Sequence, residues 1–473
     1  MSSSWLLVSN ATVLDGTGSP PVAGQSVLIE GDTITAVGVD VSADQVPRGD
    51  TVERLDAAGK TLMPGLIDAH CHTTFGETFQ QEEQDLYTSV ETRTLRSAWN
   101  VKKILRAGVT GISDPGGSYF ISVGVREGVR SGIVEGPHIF AAGRFISTSN
   151  GIADWYPDAV GVPDSGIGMV CNSRDAMVAE VRRQIKNGVD LIKIGDSPMG
   201  NYQAFMDDEI AVIAEVAHLL NKKVTIHARG SANVDAAVKA GVDWIMHGNA
   251  MNDDTIERLA ESGIPLVPTL TLLANLRDWG LVAGVPQAKV DAYNRILDYT
   301  AVSLHKAHDA GVRFITGTDS GFAVTPYGEW HAREMELLMD IAGLSAMEAI
   351  QAATSNAAVV LGLAGKVGVV KPGKLADLII VDGSPLDDIR ILQDRSRIHT
   401  VISRGDLVDL EERESRPYNR AQVISGGRIT REAVYGDREP GAEAAGDIPW
   451  SGDTAHDLSH DLTSEKLSAR FGN

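Results

Sequence analysis

The sequence predicts an α/β protein built around a (β/α)₈ barrel of the TIM type, with a small β-module formed from both chain ends. Two observations predict this architecture. In residues 63–365, short apolar runs alternate with longer helical stretches, which is typical of parallel strands joined by crossover helices. In residues 1–62 and 366–435, β-rich runs are instead separated by turn sequences.

The small module is expected to contain β-rich runs from both ends of the chain. Five such runs are Leu6–Asn10, Val27–Glu30, Ile34–Val37, Asp377–Asp382 and Val401–Ser403. Turn-forming residues such as Gly and Asp follow or separate these runs, as in β-hairpins. We therefore expect the two ends of the chain to meet in one module.

The central region offers eight candidate barrel strands. They are Gly65–His70, Gly108–Ser113, His138–Ala142, Asp190–Ile194, Val224–His227, Trp244–His247, Leu266–Leu270 and Phe314–Thr318. Helical segments such as Asp207–Leu220 and Ser231–Ala240 lie between many of them. Eight strands of this kind fit a closed barrel. A doubly wound open sheet is the alternative, but no glycine-rich phosphate-binding sequence follows the first strand.

The composition restricts the partners and the compartment. The 473 residues carry a formal net charge of −21, which argues against nucleic acid or an anionic membrane as a main partner. Two cysteines, Cys71 and Cys171, provide no disulfide framework and indicate a reducing compartment. No apolar run approaches the ~20 residues that span a bilayer, and the N-terminus lacks a secretory pattern. We therefore expect a cytoplasmic protein.

The last part of the chain, residues 436–473, differs from the rest in composition. It is rich in acidic residues and in Gly, Ala and Ser. We expect a mostly irregular arm, because such a segment has little apolar surface to bury. Docking of this tail on a neighbouring subunit is the alternative.

Two histidines close the first barrel strand, in the sequence Asp68-Ala-His70-Cys71-His72. Residues i and i+2 of a strand point the same way, so His70 and His72 share one face and Cys71 takes the other. Two imidazoles converging at a strand end suit a divalent transition metal. The motif alone is also compatible with a structural role, so a metal site depends on further ligand-type residues elsewhere in the sequence.

Lys193 lies within an apolar strand, Asp190-Leu-Ile-Lys-Ile194. Burying an ammonium group is costly unless its charge is matched or removed. One interpretation is that the amine reaches a polar rim. The other is that CO₂ carboxylates the amine, which gives an anionic carbamate able to bridge two metals.

Three further ligand-type side chains, those of His227, His247 and Asp319, end or directly follow apolar strands. Each has a plain structural alternative when considered alone, such as helix capping by Asp319. Together with the two histidines and the lysine above, they place six such side chains at the carboxyl ends of strands 1, 4, 5, 6 and 8. Barrel active sites lie on that face, so the set predicts a metal centre.

From about residue 6 to residue 410, the sequence resembles the amidohydrolase superfamily of metal-dependent hydrolases. The resemblance rests on Met63-Pro-Gly-Leu-Ile-Asp-Ala-His-Cys-His72, Gly108-Val-Thr110, Val224-Thr-Ile-His-Ala-Arg-Gly230, Gly241-Val-Asp-Trp-Ile-Met-His-Gly248, Gly317-Thr-Asp-Ser320, Ala346-Met-Glu-Ala-Ile350 and Lys371-Pro-Gly-Lys-Leu-Ala-Asp-Leu-Ile379. More narrowly, the chain is similar to the imidazolonepropionase/prolidase-like branch. That branch includes Xaa-Pro and Xaa-Arg dipeptidases and ochratoxin amidases, with molinate and phenylurea hydrolases as relatives.

The resemblance implies a binuclear metal site and a β-sandwich for the small module. His70 and His72 would bind the more buried metal with Asp319, carboxylated Lys193 would bridge both metals, and His227 and His247 would bind the outer one. Zinc is the expected metal, with cobalt or manganese as alternatives. The resemblance also favours a homo-oligomer.

Such a site predicts hydrolysis of a C–N bond in an amide, urea or carbamate of a small organic substrate. A metal-bound hydroxide would attack the carbonyl carbon. Asp319 would take the proton and pass it to the leaving amine, because amines leave poorly unless they are protonated.

Substrate contacts are expected from the loops that follow strands 3, 4, 7 and 8. The polar candidates are Arg144, Tyr202, Arg229, Tyr327 and His331, and the apolar candidates are Trp155, Tyr156, Leu272, Leu273 and Trp279. Either arginine could hold a substrate carboxylate, and Tyr202 could donate to a developing oxyanion. The apolar residues favour an apolar amide. His138 and Cys71 are expected to be structural.

Three alternatives remain open from the sequence. The first is a dipeptidase or N-acyl amino acid hydrolase, which would need a charged group to fix a carboxylate. The second is a cyclic amide hydrolase, which would use the same site. The third is a catalytically silent binding or assembly protein, against which the six intact ligand positions count.

Overall fold

The computed structural model describes residues 4–78, 81–197, 202–281, 283–411 and 429–435. The acidic tail predicted for residues 436–473 lies outside the described residues. Within the described ranges, none of the helices combines the length and hydrophobicity needed to cross a bilayer.

Strands and helices alternate through most of the chain. The strands are β1 (Trp5–Val13), β2 (Val22–Glu30), β3 (Thr33–Gly38), β4 (Val52–Asp56), β5 (Lys60–Pro64), β6 (Leu66–Asp68), β7 (Val109–Asp114), β8 (His138–Ala141), β9 (Phe145–Ser147), β10 (Gly168–Val170), β11 (Leu191–Gly195), β12 (Lys223–Gly230), β13 (Trp244–Ala250), β14 (Leu266–Val267), β15 (Leu378–Asp382), β16 (Ile398–Ser403) and β17 (Asp406–Leu407). The helices are α1 (Gln81–Asp85), α2 (Val90–Arg106), α3 (Ile121–Arg130), α4 (Arg174–Lys186), α5 (Asp207–Leu219), α6 (Ser231–Ala240), α7 (Asp253–Ser262), α8 (Leu270–Trp279), α9 (Gln287–Asp309), α10 (Arg333–Ala342), α11 (Ala346–Ala352) and α12 (Arg431–Tyr435).

Strands from both chain ends form one sheet of eight strands. Its order is β17-β16-β15-β5-β1-β2-β3, and β4 also pairs with β1. Strand β5 joins the two ends, because it runs parallel to β1 and antiparallel to β15. Apolar side chains from both ends, among them Val8 and Ile380, share one buried cluster on this sheet. The β-sandwich and the domain boundaries stay predictions, and β5 itself runs across the predicted boundary at residue 62.

The central region forms two parallel sheets, in the orders β6-β7-β8 and β10-β9-β11-β12-β13-β14. Crossover helices connect several of the successive strands, as parallel pairing requires. Their apolar faces pack on the strands; in α5, Ile210, Ile213 and Ala217 lie at helical spacing in the largest buried cluster. This is the α/β architecture predicted from the sequence, and it is barrel-like, but the described strands do not form one closed sheet.

Isolated backbone contacts link the two parallel sheets. At one edge, the Asp190 amide donates to the Ala141 carbonyl over 2.8 Å. At the other edge, Leu266 forms a single bridge with Phe314, and the Ala69 amide donates to the Thr316 carbonyl over 2.9 Å. These contacts lie where a barrel would close.

Two predicted strands differ from the structure at that edge. Phe314–Thr318 is not a regular strand, although Phe314 and Thr316 make the contacts just described. Leu266–Leu270 shortens to β14, because Leu270 already begins α8. Crowding explains the first difference: a Cβ on Gly317 would lie 2.8 Å from the His70 Cβ, so the chain passes unusually close to the first strand there.

Two contacts outside the sheets fix distant parts of the chain. His138, at the start of β8, has its Nε2 2.9 Å from an Asp377 carboxylate oxygen just before β15, which agrees with the structural role predicted for it. Residues 429–435 were assigned to the small module from the sequence. In the structure they pack instead against α8 and the segment that contains Trp330.

Candidate metal centre and cavity

The six predicted ligands are all buried, and all but His247 line one cavity. The Oδ1 atom of Asp319 lies 3.4 Å from His70 Nε2 and 3.2 Å from His72 Nε2. The rings of His227 and His247 are 4.2 Å apart between centroids. His70, His247 and Asp319 each present one potential ligand atom within 4.8 Å of the others.

The hydrogen bonds of His70 and His72 indicate which ring nitrogen of each carries the proton. Nδ1 of His72 donates to the Gly116 carbonyl over 2.6 Å. Nδ1 of His70 lies 3.0 Å from the Thr269 hydroxyl, which in turn donates to the Val267 carbonyl and so accepts from the ring. Both Nε2 atoms are therefore acceptors, and they are only 3.1 Å apart. Two lone pairs this close, beside a carboxylate, suit a shared cation.

His227 and His247 lack ordinary partners for one ring nitrogen each. Neither Nε2 atom has a hydrogen-bond partner in the described part of the chain, although both are buried. Burial also holds the pKa of each imidazole well below its usual range, so both rings are neutral at neutral pH. Buried ring nitrogens without partners are rare in proteins, and metal ligation would satisfy them.

The backbone at this edge adopts unusual conformations. His247 and Asp319 have φ angles of 79° and 58°, in the left-handed region that residues other than glycine rarely occupy. Asp319 is held there from both sides. Its amide donates to the His70 carbonyl over 2.7 Å, and its own carbonyl accepts from the Thr325 hydroxyl over 2.9 Å. Such conformations concentrate at functional sites, where the surrounding structure enforces them.

Lys193 is buried among apolar groups. Its Nζ contacts the Met246 sulfur and lies 6.0 Å from the centre of the Phe145 ring. Within the described ranges, no carboxylate lies within ion-pair distance of this amine. Burial lowers the pKa of Lys193 to about 7, although the more distant Asp319 opposes this shift. A substantial fraction of the amine is therefore neutral at neutral pH.

Asp319, in contrast to Lys193, keeps its charge at neutral pH. Burial raises the pKa of its carboxyl group, but His70, His72 and Lys193 outweigh that effect and hold the pKa below its ordinary value. The group is therefore ionised across the physiological pH range and can accept a proton.

The cavity beside these residues has a volume of about 200 Å³ and a mostly apolar wall. Its apolar lining consists of Phe75, Phe145, Ile152, Trp155, Ile167, Leu272 and Phe322.

Of the apolar residues suggested by the sequence, Trp155 and Leu272 line this cavity, whereas Tyr156, Leu273 and Trp279 do not. The three phenylalanines were missed, because nothing in the pattern separates them from core residues. The short separation of Phe75 from His72 is the one signal that could have indicated it.

Arg229 lines the cavity and is half-buried beside the ligands. Its Nη1 donates to the Asn249 side-chain oxygen over 2.6 Å. Its Nε and the Asn249 Nδ2 have no hydrogen-bond partner among the described residues. An unsatisfied guanidinium donor on a residue that lines the cavity can receive an anionic group of a ligand.

The other polar candidates do not line the cavity in the described part of the chain. The Arg144 guanidinium donates to the Asp164 carbonyl over 2.9 Å, and the Tyr202 hydroxyl lies 3.4 Å from the Asn150 carbonyl. Tyr327 is buried and donates to the His72 carbonyl over 2.5 Å, so it supports a ligand strand. The substrate roles of Arg144 and Tyr202 stay predictions without a contact that supports them.

His331 lies behind the ligands rather than in the cavity. The Gly328 amide donates to its Nε2 over 3.0 Å, so its Nδ1 carries the proton and donates to Asp68 over 2.7 Å. The same Asp68 carboxylate accepts from the His70 amide over 2.9 Å and from the Thr318 amide over 3.1 Å. His331 therefore orients a carboxylate that holds two ligand-bearing segments together. Its predicted contact with substrate has no support in this geometry.

Comparisons with known proteins agree with this geometry. Residues 61–408 match the amidohydrolase family. The ochratoxinase of Aspergillus niger is 29% identical over 377 residues, which cover 73% of this chain and 75% of that protein. The structure of a prolidase complexed with N-methylphosphonate-L-proline has a TM-score of 0.76 at 27% identity, covering 85% of this chain and 99% of that one. A Xaa-Pro dipeptidase with bound methionine has a TM-score of 0.75 at 27% identity, covering 86% of this chain and 100% of that one.

These relatives come from the branch that the sequence had indicated. A converging set of buried ligand-type side chains beside a cavity is also what a metal-dependent hydrolase requires. The chain belongs to the amidohydrolase family and is a hydrolytic enzyme that acts on C–N bonds.

Proposed function

We propose that this enzyme is metal-dependent and hydrolyses the C–N bond of a small amide, urea or carbamate that has a bulky apolar group. One observation carries the proposal. Buried ring nitrogens of His227 and His247 have no hydrogen-bond partner among the described residues, and His70, His247 and Asp319 bring ligand atoms within 4.8 Å of one another. They lie beside a cavity whose wall is mostly aromatic and aliphatic. A site with this lining favours an apolar substrate.

Two metals, with zinc as the preferred ion, would be held by His70, His72, Lys193, His227, His247 and Asp319. Bound divalent cations would supply a water of lowered pKa and polarise the scissile carbonyl. The acceptor nitrogens described above fit this role, since neutral imidazole nitrogens and carboxylates are zinc's usual ligands.

Lys193 is proposed to act as a carbamate. Its neutral amine would attack CO₂ through the nitrogen lone pair and then lose a proton, leaving an N-carboxylate with one negative charge. The apolar surroundings and the lowered pKa of Lys193 supply the neutral amine that this reaction needs. The added carboxylate would extend the lysine toward the histidine ligands and provide an anionic bridge.

Asp319 is proposed as the proton shuttle. Its carboxylate would accept a proton from the attacking water and deliver it to the nitrogen of the leaving amine. The lowered pKa keeps the group ionised before the reaction begins. The apolar wall formed by Phe75, Phe145 and Phe322 would exclude bulk water from this transfer.

A second candidate, a dipeptidase or N-acyl amino acid hydrolase, is favoured by Arg229. This arginine lines the cavity, and its Nε has no hydrogen-bond partner among the described residues. A substrate carboxylate placed there would gain a charge-assisted hydrogen bond. The ochratoxinase and prolidase relatives are consistent with either candidate.

One experiment tests both candidates. Amine release is measured from N-aroyl amino acids, from the matching amino acid amides that lack the carboxylate, and from phenylureas, before and after chelation. Turnover that is lost on chelation and restored by Zn²⁺ with bicarbonate supports the metal-dependent hydrolase. A preference for the free acid that disappears in Arg229→Met supports the second candidate. Turnover that survives complete metal removal would refute the proposal.

A further inference from the structure

The C-terminal residues 429–435 contact the active-site side of the molecule, although the family match ends at residue 408. We call this segment the C-terminal clamp. It packs on residues 322–330, which follow Asp319 along the chain, and on the helix α8. These contacts therefore lie outside the range that matches the family.

Hydrogen bonds attach the clamp to this segment at three points. The Ile429 amide donates to the Ala323 carbonyl over 3.0 Å, and the Trp330 indole donates to the Ile429 carbonyl over 2.7 Å. The Arg431 amide donates to a Glu329 carboxylate oxygen over 3.0 Å. Main-chain groups of the clamp thus bind both ends of the segment.

Aromatic stacking strengthens the attachment. The Arg431 guanidinium lies 5.5 Å from the Trp330 ring centre and 5.3 Å from that of Tyr435. Trp330 is fully buried and stacks on Trp279 of α8, with 4.8 Å between ring centres. The clamp therefore covers a stack that joins α8 to the segment after Asp319.

The same cluster reaches the cavity wall. Phe322 and Leu272 line the cavity on one side and pack against the clamp cluster on the other. Phe322 follows Asp319 by three residues, and the turn that joins them is held by a hydrogen bond from Gly321 N to Thr325 O over 2.9 Å. A change in the clamp would therefore reach the apolar wall of the cavity before it reached the metal ligands.

We propose that the C-terminal clamp is a positioning element of the active site, which fixes the Phe322 and Leu272 side of the cavity and so sets how well bulky apolar groups bind. This inference rests on the proposed function for its substrate class. Its structural part, the restraint of residues 322–330, does not depend on that function.

The test compares Trp330→Phe with the matched variant Trp5→Phe. Both lose an indole donor and keep an aromatic ring, but Trp5 donates to Asp50 in the sheet of the chain ends. We expect Trp330→Phe to raise KM for an N-aroyl substrate about fivefold relative to the N-acetyl analogue, since a loosened wall must be ordered again on binding. Metal content should stay at the parent level, and Trp5→Phe should leave the KM ratio unchanged.

Arg431→Ala provides a second variant, which removes the guanidinium beside Trp330 and Tyr435 and keeps both rings of the Trp279–Trp330 stack. It should shift the KM ratio in the same direction. Equal changes for both substrates, or no change in either variant, would overturn the proposal.

Amide hydrogen exchange separates failure of this inference from failure of the proposed function. Amides of residues 321–330 should exchange faster in Trp330→Phe and Arg431→Ala than in Trp5→Phe, whether or not any test substrate is turned over. Unchanged exchange would refute the clamp even if the enzyme proves to be the proposed hydrolase.

Discussion

At the scale of single residues, Asp319 combines two properties that a proton shuttle needs. It is ionised at neutral pH, and its Oδ1 lies within 3.4 Å of both His70 Nε2 and His72 Nε2. Asparagine keeps the shape and one oxygen ligand but cannot accept a proton. We expect Asp319→Asn to retain metal while kcat falls by roughly 10²- to 10⁴-fold. Elemental analysis and steady-state kinetics check this, and a near-normal kcat with full metal content would exclude the shuttle.

Lys193 supplies a second test at the residue scale. Without its amine no carbamate can form, so Lys193→Ala should lose metal and activity. Short carboxylic acids such as acetate or propionate should restore part of both, because they can occupy the space left by the side chain. Lys103→Ala, which removes a lysine that pairs with Glu77, is the control and should not respond to the acids. Full metal occupancy in Lys193→Ala would contradict the bridging role.

His331 distinguishes support of the ligands from contact with substrate. Asparagine places its amide donor near the Nδ1 position and can still donate to Asp68, whereas glutamine places its amide near Nε2. We expect His331→Gln to weaken metal binding about 10- to 100-fold, and His331→Asn to weaken it much less. Competition with a chromogenic chelator measures the affinity. Equal affinity in both variants, with a raised KM instead, would return His331 to the role of a substrate contact.

The sequence could predict residue types at strand ends but not what each side chain contacts. The sequence could identify His70, His72 and Asp319, because polar side chains of these types are unusual beside apolar strands. The sequence could not identify Asp68. A carboxylate that accepts hydrogen bonds from backbone amides resembles any other acidic residue until the fold brings its partner segments together. For the same reason, the sequence could not show that His331 donates a hydrogen bond to Asp68. Periodicity indicates the face of an element, whereas hydrogen-bond partners come from distant parts of the chain.

At the scale of elements, the strands that were hardest to predict from the sequence are the short ones. Strand β14 has two residues and β6 has three, and single backbone contacts complete the edge between them. The apolar run Phe314–Thr318 resembles a strand in sequence. Its regular pairing is broken where Gly317 passes the first strand at close range, which only the folded neighbour determines.

Helix α8 begins at a buried carboxylate whose titration should be visible in stability. The Glu334 carboxylate accepts from the Leu270 amide over 2.9 Å and from the Thr271 amide over 2.8 Å. Burial nevertheless raises the pKa of Glu334 to about 7. The native state then holds a proton that the unfolded chain releases at lower pH, so this group costs stability as pH rises from about 4.5 toward 7.

Glu334→Gln removes that titration and keeps an oxygen acceptor. The parent should lose up to about 3 kcal/mol of stability across this pH window relative to the variant. Urea unfolding at several pH values measures the difference. Glu336→Gln, two positions further along α10, is the control and should follow the parent. Parallel pH profiles for parent and Glu334→Gln would show that Glu334 is ionised throughout.

At the scale of the whole molecule, the cavity depends on segments that are far apart in sequence. Phe75 follows the first strand, Leu272 lies in α8, and Phe322 packs against the cluster that contains residues 429–435. The His138 contact with Asp377 connects the parallel sheet to the sheet of the chain ends. Substrate choice is therefore a property of the assembled chain, which is why the sequence indicated an apolar substrate only through scattered residues.

The convergence of distant segments of the chain at this site also predicts how metal removal affects the stability of the folded protein. Folding buries His70, His72, His227 and His247 near the Asp319 carboxylate, and the Nε2 atoms of His227 and His247 have no hydrogen-bond partner among the described residues. A ligand that binds only the native state stabilises it by about 4 kcal/mol at 1,000 times its Kd, so chelation should lower Tm by several degrees. Zn²⁺ with bicarbonate should restore the parent Tm, at about two metals per chain. Lys193→Ala, which should have little metal to lose, should show a much smaller change on chelation. A parent protein whose Tm does not respond to chelation, and which contains no metal when purified, would mean that these buried acceptors are satisfied in another way.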